Sequence, residues 1–234
     1  MEPILLYGFP LGSSIGLVAA LKWLGKPYRL CRVDMLGEMR EPSYARINAR
    51  HETPVLITAE GHVLTESMAI AAWLEARDPE RRISFDPLSR EADRMHQLMA
   101  FLNTGFTAAF SPLWFAMEMK SPDPAVQSAL RTWGRERVIE RHDKLEQMIE
   151  GSTFLVGDRP TLADAAFIGV ARWLEFHKVA DKERWPKMAT LRQRLEADPA
   201  VIYASDLEKG GTNRGNGARA GDVELAKVIE RFGR

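Results

Sequence analysis

The sequence has a single cysteine, Cys31, among 234 residues. Neither an intramolecular disulfide nor a multi-cysteine metal site can form, and a reducing compartment is expected. It has no run of about 18 apolar residues, the length needed to cross a bilayer as a helix. It also lacks an excess of either charge: Lys plus Arg and Asp plus Glu are 32 each, so no whole-molecule field recruits nucleic acid or an anionic membrane. A small or uncharged partner fits better. The five histidines form no metal-spaced pair, and no H-E-x-x-H, phosphate loop or dinucleotide fingerprint is present. The N-terminus enters a short apolar segment with no basic region before it and no small-residue cleavage site after it, so the expected location is the cytoplasm.

What is present is the composition of a globular protein, 45% hydrophobic and 27% charged, large enough for one extended core or two smaller ones. The first third changes hydrophobic period repeatedly. Ile4 to Tyr7 reads as a strand stopped by Gly8 and Pro10, and Ile15 to Leu24 as a helix ended by Gly25-Lys26-Pro27. Tyr28 to Val33 alternates as a strand, Pro42 to Ile47 suits a short helix, and Pro54 to Ile57 with Val63-Leu64 flank a turn at Glu60-Gly61-His62. A helix over about Glu66 to Ala76 closes a β-α-β-α-β-β-α unit. After a linker from Asp78 to Pro87 only helical patterns remain: Leu88 to Met119, Pro124 to Glu150, Leu162 to His177, Trp185 to Ala197 and Pro199 to Glu208. The expected organisation is an α+β domain over 1–79, an all-helical domain over 88–208, and a tail over 209–234. In that tail Lys209 to Gly221 is glycine-rich and expected to be mobile, and Asp222 to Phe232 resumes helical spacing.

The junctions carry the chemistry. The loop Tyr7-Gly8-Phe9-Pro10-Leu11-Gly12-Ser13-Ser14, the segment Asn48 to Leu56 with Thr53-Pro54 opening a strand, the helix start Thr65-Glu66-Ser67-Met68-Ala69-Ile70, and Phe154 to Asp164 occur in order. Together they resemble the cytosolic glutathione transferases over roughly the first 205 residues, nearest to the bacterial beta class and the serine-type theta and zeta classes. The resemblance implies a thioredoxin-like first domain that holds glutathione, and a helical domain that holds a second substrate. It implies a cis bond before Pro54, with the Thr53 backbone pairing with the cysteinyl part of the tripeptide. It places the γ-glutamyl group on Glu66 and Ser67, where a helix start offers N–H groups to a carboxylate, and Arg50-His51 near the glycyl carboxylate. A proline opening a strand, a capped helix and two solvated loop residues explain the same positions without a ligand.

Ser13 falls at the position that is cysteine in beta-class enzymes and serine in the theta- and zeta-like ones. A thiol of pKa about 8.5 is only a few per cent thiolate at neutral pH. One hydrogen bond to the charged form contributes about 1.5–3 kcal/mol, enough to lower it by about one to two units. Ser14, one residue on, and Tyr7 are rivals in that order, and both serines also suit helix capping. Cys31 reads as a core thiol.

Leu11, Phe106, Phe110 and Trp114, with Phe115 and Met117, are candidates for a pocket holding a hydrophobic electrophile, and equally for a helical core stripe. The histidine expected from beta-class enzymes is replaced by Thr107, and the neighbouring basic residue by Ala108. Thr161-Leu162-Ala163-Asp164 has the spacing of a capping box. The implied activity is attack of glutathione on an electrophile, within a homodimer. A non-catalytic glutathione-binding or scaffolding protein, and a glutathione-dependent reductase or isomerase, are the alternatives; the mixed-disulfide route lacks a cysteine near the first helix.

Overall fold

In the computed structural model, which describes residues 1–212 and 217–234, the first part contains strands β1 (Ile4–Phe9), β2 (Tyr28–Asp34), β3 (Val55–Ile57) and β4 (Val63–Thr65). Helices α1 (Ile15–Leu24) and α2 (Ser67–Glu75) belong to the same part. β1 pairs parallel with β2 and antiparallel with β3, which pairs antiparallel with β4. Gly25 ends α1 at φ 71°, its N–H bonded to the Leu21 carbonyl, a conformation that favours glycine. The segment expected to be a second helix forms a 3-10 helix over Pro42–Arg46, since five residues are too few to offset α-helix nucleation.

Strand alternation sends side chains to two different cores. Leu5, Leu30 and Leu56 join α1 and α2 in a large core continuous with the helical part. Ile4, Leu6, Cys31, Val33, Val55 and Ile57 face the other way.

The second part is helical: α3 (Arg90–Phe101), α4 (Ser111–Glu118), α5 (Pro124–Met148), α6 (Leu162–Ala171), α7 (Trp173–Phe176), α8 (Pro186–Glu196) and α9 (Pro199–Glu208). The single run expected from Leu88 to Met119 is divided: a π-helical turn over Leu102–Thr107 and a 3-10 turn over Ala108–Phe110 separate α3 from α4. Pro112 has no N–H to continue an α ladder and Gly105 is a weak helix former. The linker is fixed by the buried Asp78 carboxylate, which accepts from Arg82 N–H, Ile83 N–H and the Ser84 hydroxyl at 2.8–2.9 Å.

The tail departs from expectation. Residues Arg219–Asp222 form β5, pairing parallel with β2, so the sheet order is β4-β3-β1-β2-β5. Of the segment expected to be mobile, 213–216 lie outside the described residues. Glycine content measures what ordering costs, but not the hydrogen bonds that the open edge of β2 offers an incoming strand. Helix α10 (Leu225–Phe232) then lays Leu225, Val228 and Ile229 on the Ile4–Leu6–Cys31 face.

Candidate active site

The site lies where α1, α2, the π turn and α6 converge. Ser13 and Ser67 line one cavity of about 50 Å³, together with Leu17, Met68, Asn103 and Thr107. That volume suits one or two water-sized groups, far below the several hundred Å³ of a whole-ligand pocket. Among the described residues no group hydrogen-bonds the half-buried Ser13 hydroxyl. Ser14 is different: it is buried, and its Oγ accepts from Gly8 N–H at 2.9 Å. Tyr7 is buried too, its hydroxyl donating to the Leu207 carbonyl at 3.3 Å and its acidity suppressed by burial. Of the three rivals, Ser13 alone lines the cavity with an uncommitted hydroxyl.

The peptide bonds before Pro10 and Pro54 are both cis. Thr53 packs beside Gly8, where any Cβ would run into its Oγ1, so Thr53 borders the loop that carries Ser13. Glu66 precedes α2 at φ 71°, a left-handed conformation that a non-glycine residue adopts at a cost of order 1–3 kcal/mol. Ile70 N–H is the first of the helix to reach a carbonyl, that of Glu66. Among the described residues Ser67, Met68 and Ala69 N–H have no protein acceptor, and Glu66 provides no side-chain cap. Arg50 reaches the same helix end, bonding Glu66 at 2.5 Å and Glu52 at 2.9 Å. His51 turns away, its Nδ1 meeting the Met39 carbonyl at 2.7 Å.

The apolar candidates divide. Phe106 and Phe110 are fully buried and pack on His142, Phe167 and Trp173. They are core and do not line the Ser13 cavity. Trp114 is half-buried, stacked on Phe176 and edge-on to Trp173 and His177. Leu11, at φ 59°, accepts at its carbonyl from the Trp173 indole at 2.9 Å. Trp173 and Phe176 therefore reach the aromatic surface next to the Ser13 loop, although their sequence pattern reads only as a helix stripe. Burial lowers His177, against Trp114, to about 4, so it is neutral near pH 7. Burial likewise pushes the Cys31 thiol up to about 12, leaving it inert.

Residues 14–77 match the glutathione S-transferase N-terminal domain, and residues 112–199 match the glutathione S-transferase C-terminal domain. The chain belongs to the glutathione S-transferase family. It is 26% identical over 204 residues to a glutathione S-transferase of Xanthomonas campestris, covering 87% of this chain and 98% of the relative. It is 29% identical over 214 residues to the maleylacetoacetate isomerase of Pseudomonas aeruginosa, covering 86% of this chain and 94% of that one. A glutathione transferase homologue from Sulfitobacter, crystallised with bound glutathione, superimposes with a TM-score of 0.78 at 23% identity, over 90% of this chain and 99% of that chain.

The thioredoxin-like sheet followed by a helical domain is thus the glutathione transferase architecture. In this member the helical side also contributes Asn103 and Thr107 to the cavity lining. Thr107 stands where the beta-class resemblance expects a histidine, and Asn103 lies four residues before it; no sequence signal points to Asn103.

Proposed function

We propose that the protein is a glutathione transferase in which the Ser13 hydroxyl holds the glutathione thiolate for attack on a hydrophobic electrophile. The observation that carries this reading is that Ser13 and Ser67, 54 positions apart in sequence and each at or just ahead of a helix start, line one cavity. The three N–H groups without acceptors at α2 suit the γ-glutamyl carboxylate, and the Glu66 carboxylate suits its ammonium. The Thr53 backbone, ahead of cis Pro54, would pair with the cysteinyl unit. Arg50 would meet the glycyl carboxylate; His51, engaged with Met39, would sit behind it. Leu11 and Trp114, with Trp173 and Phe176, would hold the electrophile's apolar part.

The chemistry needs no redox step. The thiol proton leaves to solvent, the serine hydroxyl donates to the thiolate, and the sulfur lone pair bonds the electrophilic carbon as the leaving group, halide in an aryl halide, departs with its bonding pair. Isomerisation by reversible addition of the same thiolate uses the same groups. Reduction through a protein mixed disulfide is disfavoured by the buried Cys31. The homodimer expected of the family belongs to this proposal, and sedimentation at micromolar concentration checks it.

The test is a glutathione titration that records thiolate absorbance. The expected result is a bound thiol pKa about one to two units below that of free glutathione, lost in Ser13→Ala. Binding without a thiolate signal would instead indicate a carrier or scaffold.

A further inference from the structure

We propose that Arg172 and Glu208 are positioning residues that set the Ser13 hydroxyl by gripping both sides of Gly12; this rests on the reading of Ser13 as the thiolate ligand. Ser13 stands on the β1–α1 loop, and successive backbone groups of that loop are held from the helical part. The Leu11 carbonyl accepts from Trp173 Nε1 at 2.9 Å. Gly12 N–H donates to Glu208 Oε1 at 3.1 Å, and the Gly12 carbonyl accepts from an Arg172 NH2 proton at 3.0 Å. The Ser13 carbonyl lies against Gly169, where any Cβ would collide with it. Residues 169, 172 and 173 span about one helical turn, so this one turn and the end of α9 contact three consecutive loop residues.

Arg172 and Glu208 also pair with each other, NH2 to Oε1 at 2.5 Å and NH1 to Oε2. The Glu208 side chain is 7% exposed and that of Arg172 23%. The Glu208 carbonyl accepts from both Arg32 Nε and NH2, at 3.1 and 2.7 Å, which anchors the end of α9 to β2. A guanidinium fork matches a carboxylate bidentately and keeps further protons for the Gly12 carbonyl, which a lysine ammonium cannot do with the same planar geometry. Gly12 itself allows no side chain, because a Cβ would run into the Gly8 carbonyl. The Leu11 carbonyl and Gly12 N–H of one peptide unit and the Gly12 carbonyl of the next are tied, so both peptide units leading into Ser13 are held from the helical part.

A largely buried ion pair is a poor stabiliser compared with apolar residues of the same volume, so it is better explained by the geometry it imposes. Displacing a reacting group by about 1 Å can cost roughly a hundredfold in rate.

The experiment compares wild type, Arg172→Lys, the apolar double replacement Arg172→Met with Glu208→Leu, Ser13→Ala, and the double replacement combined with Ser13→Ala. It records kcat and KM for glutathione with an aryl halide, the bound thiol pKa, and thermal midpoints. In the Ser13 background the double replacement should lower kcat roughly ten- to hundredfold and raise the bound thiol pKa by about one unit, with the glutathione KM within about threefold because the α2 contacts are untouched. In the Ser13→Ala background the same replacement should change neither kcat nor thiol pKa, since residues acting through one group are not additive. Arg172→Lys, which keeps the charge should the double replacement not fold, should show the same pattern at smaller size. An equal loss in both backgrounds, or an unchanged thiol pKa in every pair variant, overturns the proposal. If Ser13→Ala alone leaves the thiol pKa depressed, the Ser13 reading itself falls, and the control identifies that failure separately.

Discussion

The starts of α6 and α2 solve the same problem in opposite ways. At α6, Thr161 and Asp164 form a complete capping box: the carboxylate accepts from Thr161 N–H, the Thr161 hydroxyl and Leu155 N–H at 2.8–2.9 Å, fully buried. At α2 no side chain among the described residues caps the helix, whereas at α1 the Ile15 and Gly16 N–H groups turn to the Gly12 and Ser13 carbonyls at 3.5 and 3.3 Å. Ser14, the residue placed to cap α1, spends its oxygen on Gly8 instead. A helix end that satisfies itself is a folding device, and one left open at a cavity retains donors and partial charge for a ligand. The [ST]-x-x-[DE] spacing therefore marks where the chain folds, and its absence at α2 marks where glutathione is proposed to bind.

The largest expected effect breaks the closed end. Asp164→Ala leaves two N–H groups and a hydroxyl buried without acceptors, which should cost about 3–5 kcal/mol and lower the melting midpoint by about 10 °C. Glutathione affinity per folded molecule should be unchanged. Loss of turnover without loss of stability would reverse the roles assigned to the two kinds of helix end.

A pH series sharpens the same point. Burial raises the Asp164 carboxyl from 3.8 to about 6, outweighing the bonds from Leu155 and Thr161 that lower it. The folded state thus binds this proton more tightly than the unfolded state does. The resulting stabilisation is full below pH 3.8 and is lost as pH rises through about 6. Compared with Asp164→Asn, which does not titrate, wild type should lose about 2 kcal/mol of relative stability between pH 4 and 7. Denaturant unfolding at several pH values measures the gap, and a gap independent of pH would mean that the carboxylate is ionised throughout.

The two adjacent serines carry the contrast into one loop. Ser14→Ala removes the acceptor of a buried N–H and should cost about 1–2 kcal/mol of stability while leaving the bound thiol pKa depressed. Ser13→Ala should leave stability within about 0.5 kcal/mol and abolish the thiol shift. Were the two phenotypes exchanged, Ser14 would be the thiolate ligand.

How much of this was legible depended on whether a feature is local. The α1 boundaries, Ile15 and Leu24, follow from periodicity and Gly25, because both signals act within one turn of the chain. The capping box was readable for the same reason. Strand β5 was not, since its partner β2 is some 190 residues away and a glycine-rich composition describes only the entropy side of the balance. Phe106 and Phe110 fit a core stripe and a pocket equally in sequence, because periodicity gives the buried face but not which neighbours cover it; both prove fully buried. Ser13 already ranks ahead of Ser14 by its position after Pro10, and the engagement of the Ser14 hydroxyl by Gly8 N–H supports that order for a reason no sequence pattern carries.

The smallest expected effect tests the open end at its rim. Arg50 bridges Glu66 and Glu52 with half of its side chain exposed, and an exposed ion pair of this kind is worth about 0–1 kcal/mol. Arg50→Gln should therefore leave the melting midpoint within about 2 °C. If Arg50 moves from Glu66 to the glycyl carboxylate when glutathione binds, the substitution should raise Kd about three- to tenfold at low salt. The difference should shrink as salt screens the interaction. Calorimetric titrations at two ionic strengths read both quantities. Tighter binding in the variant would mean that the Arg50–Glu66 pair competes with the ligand, so that the open helix end is partly closed by a side chain from outside the helix and the contrast with α6 is one of degree.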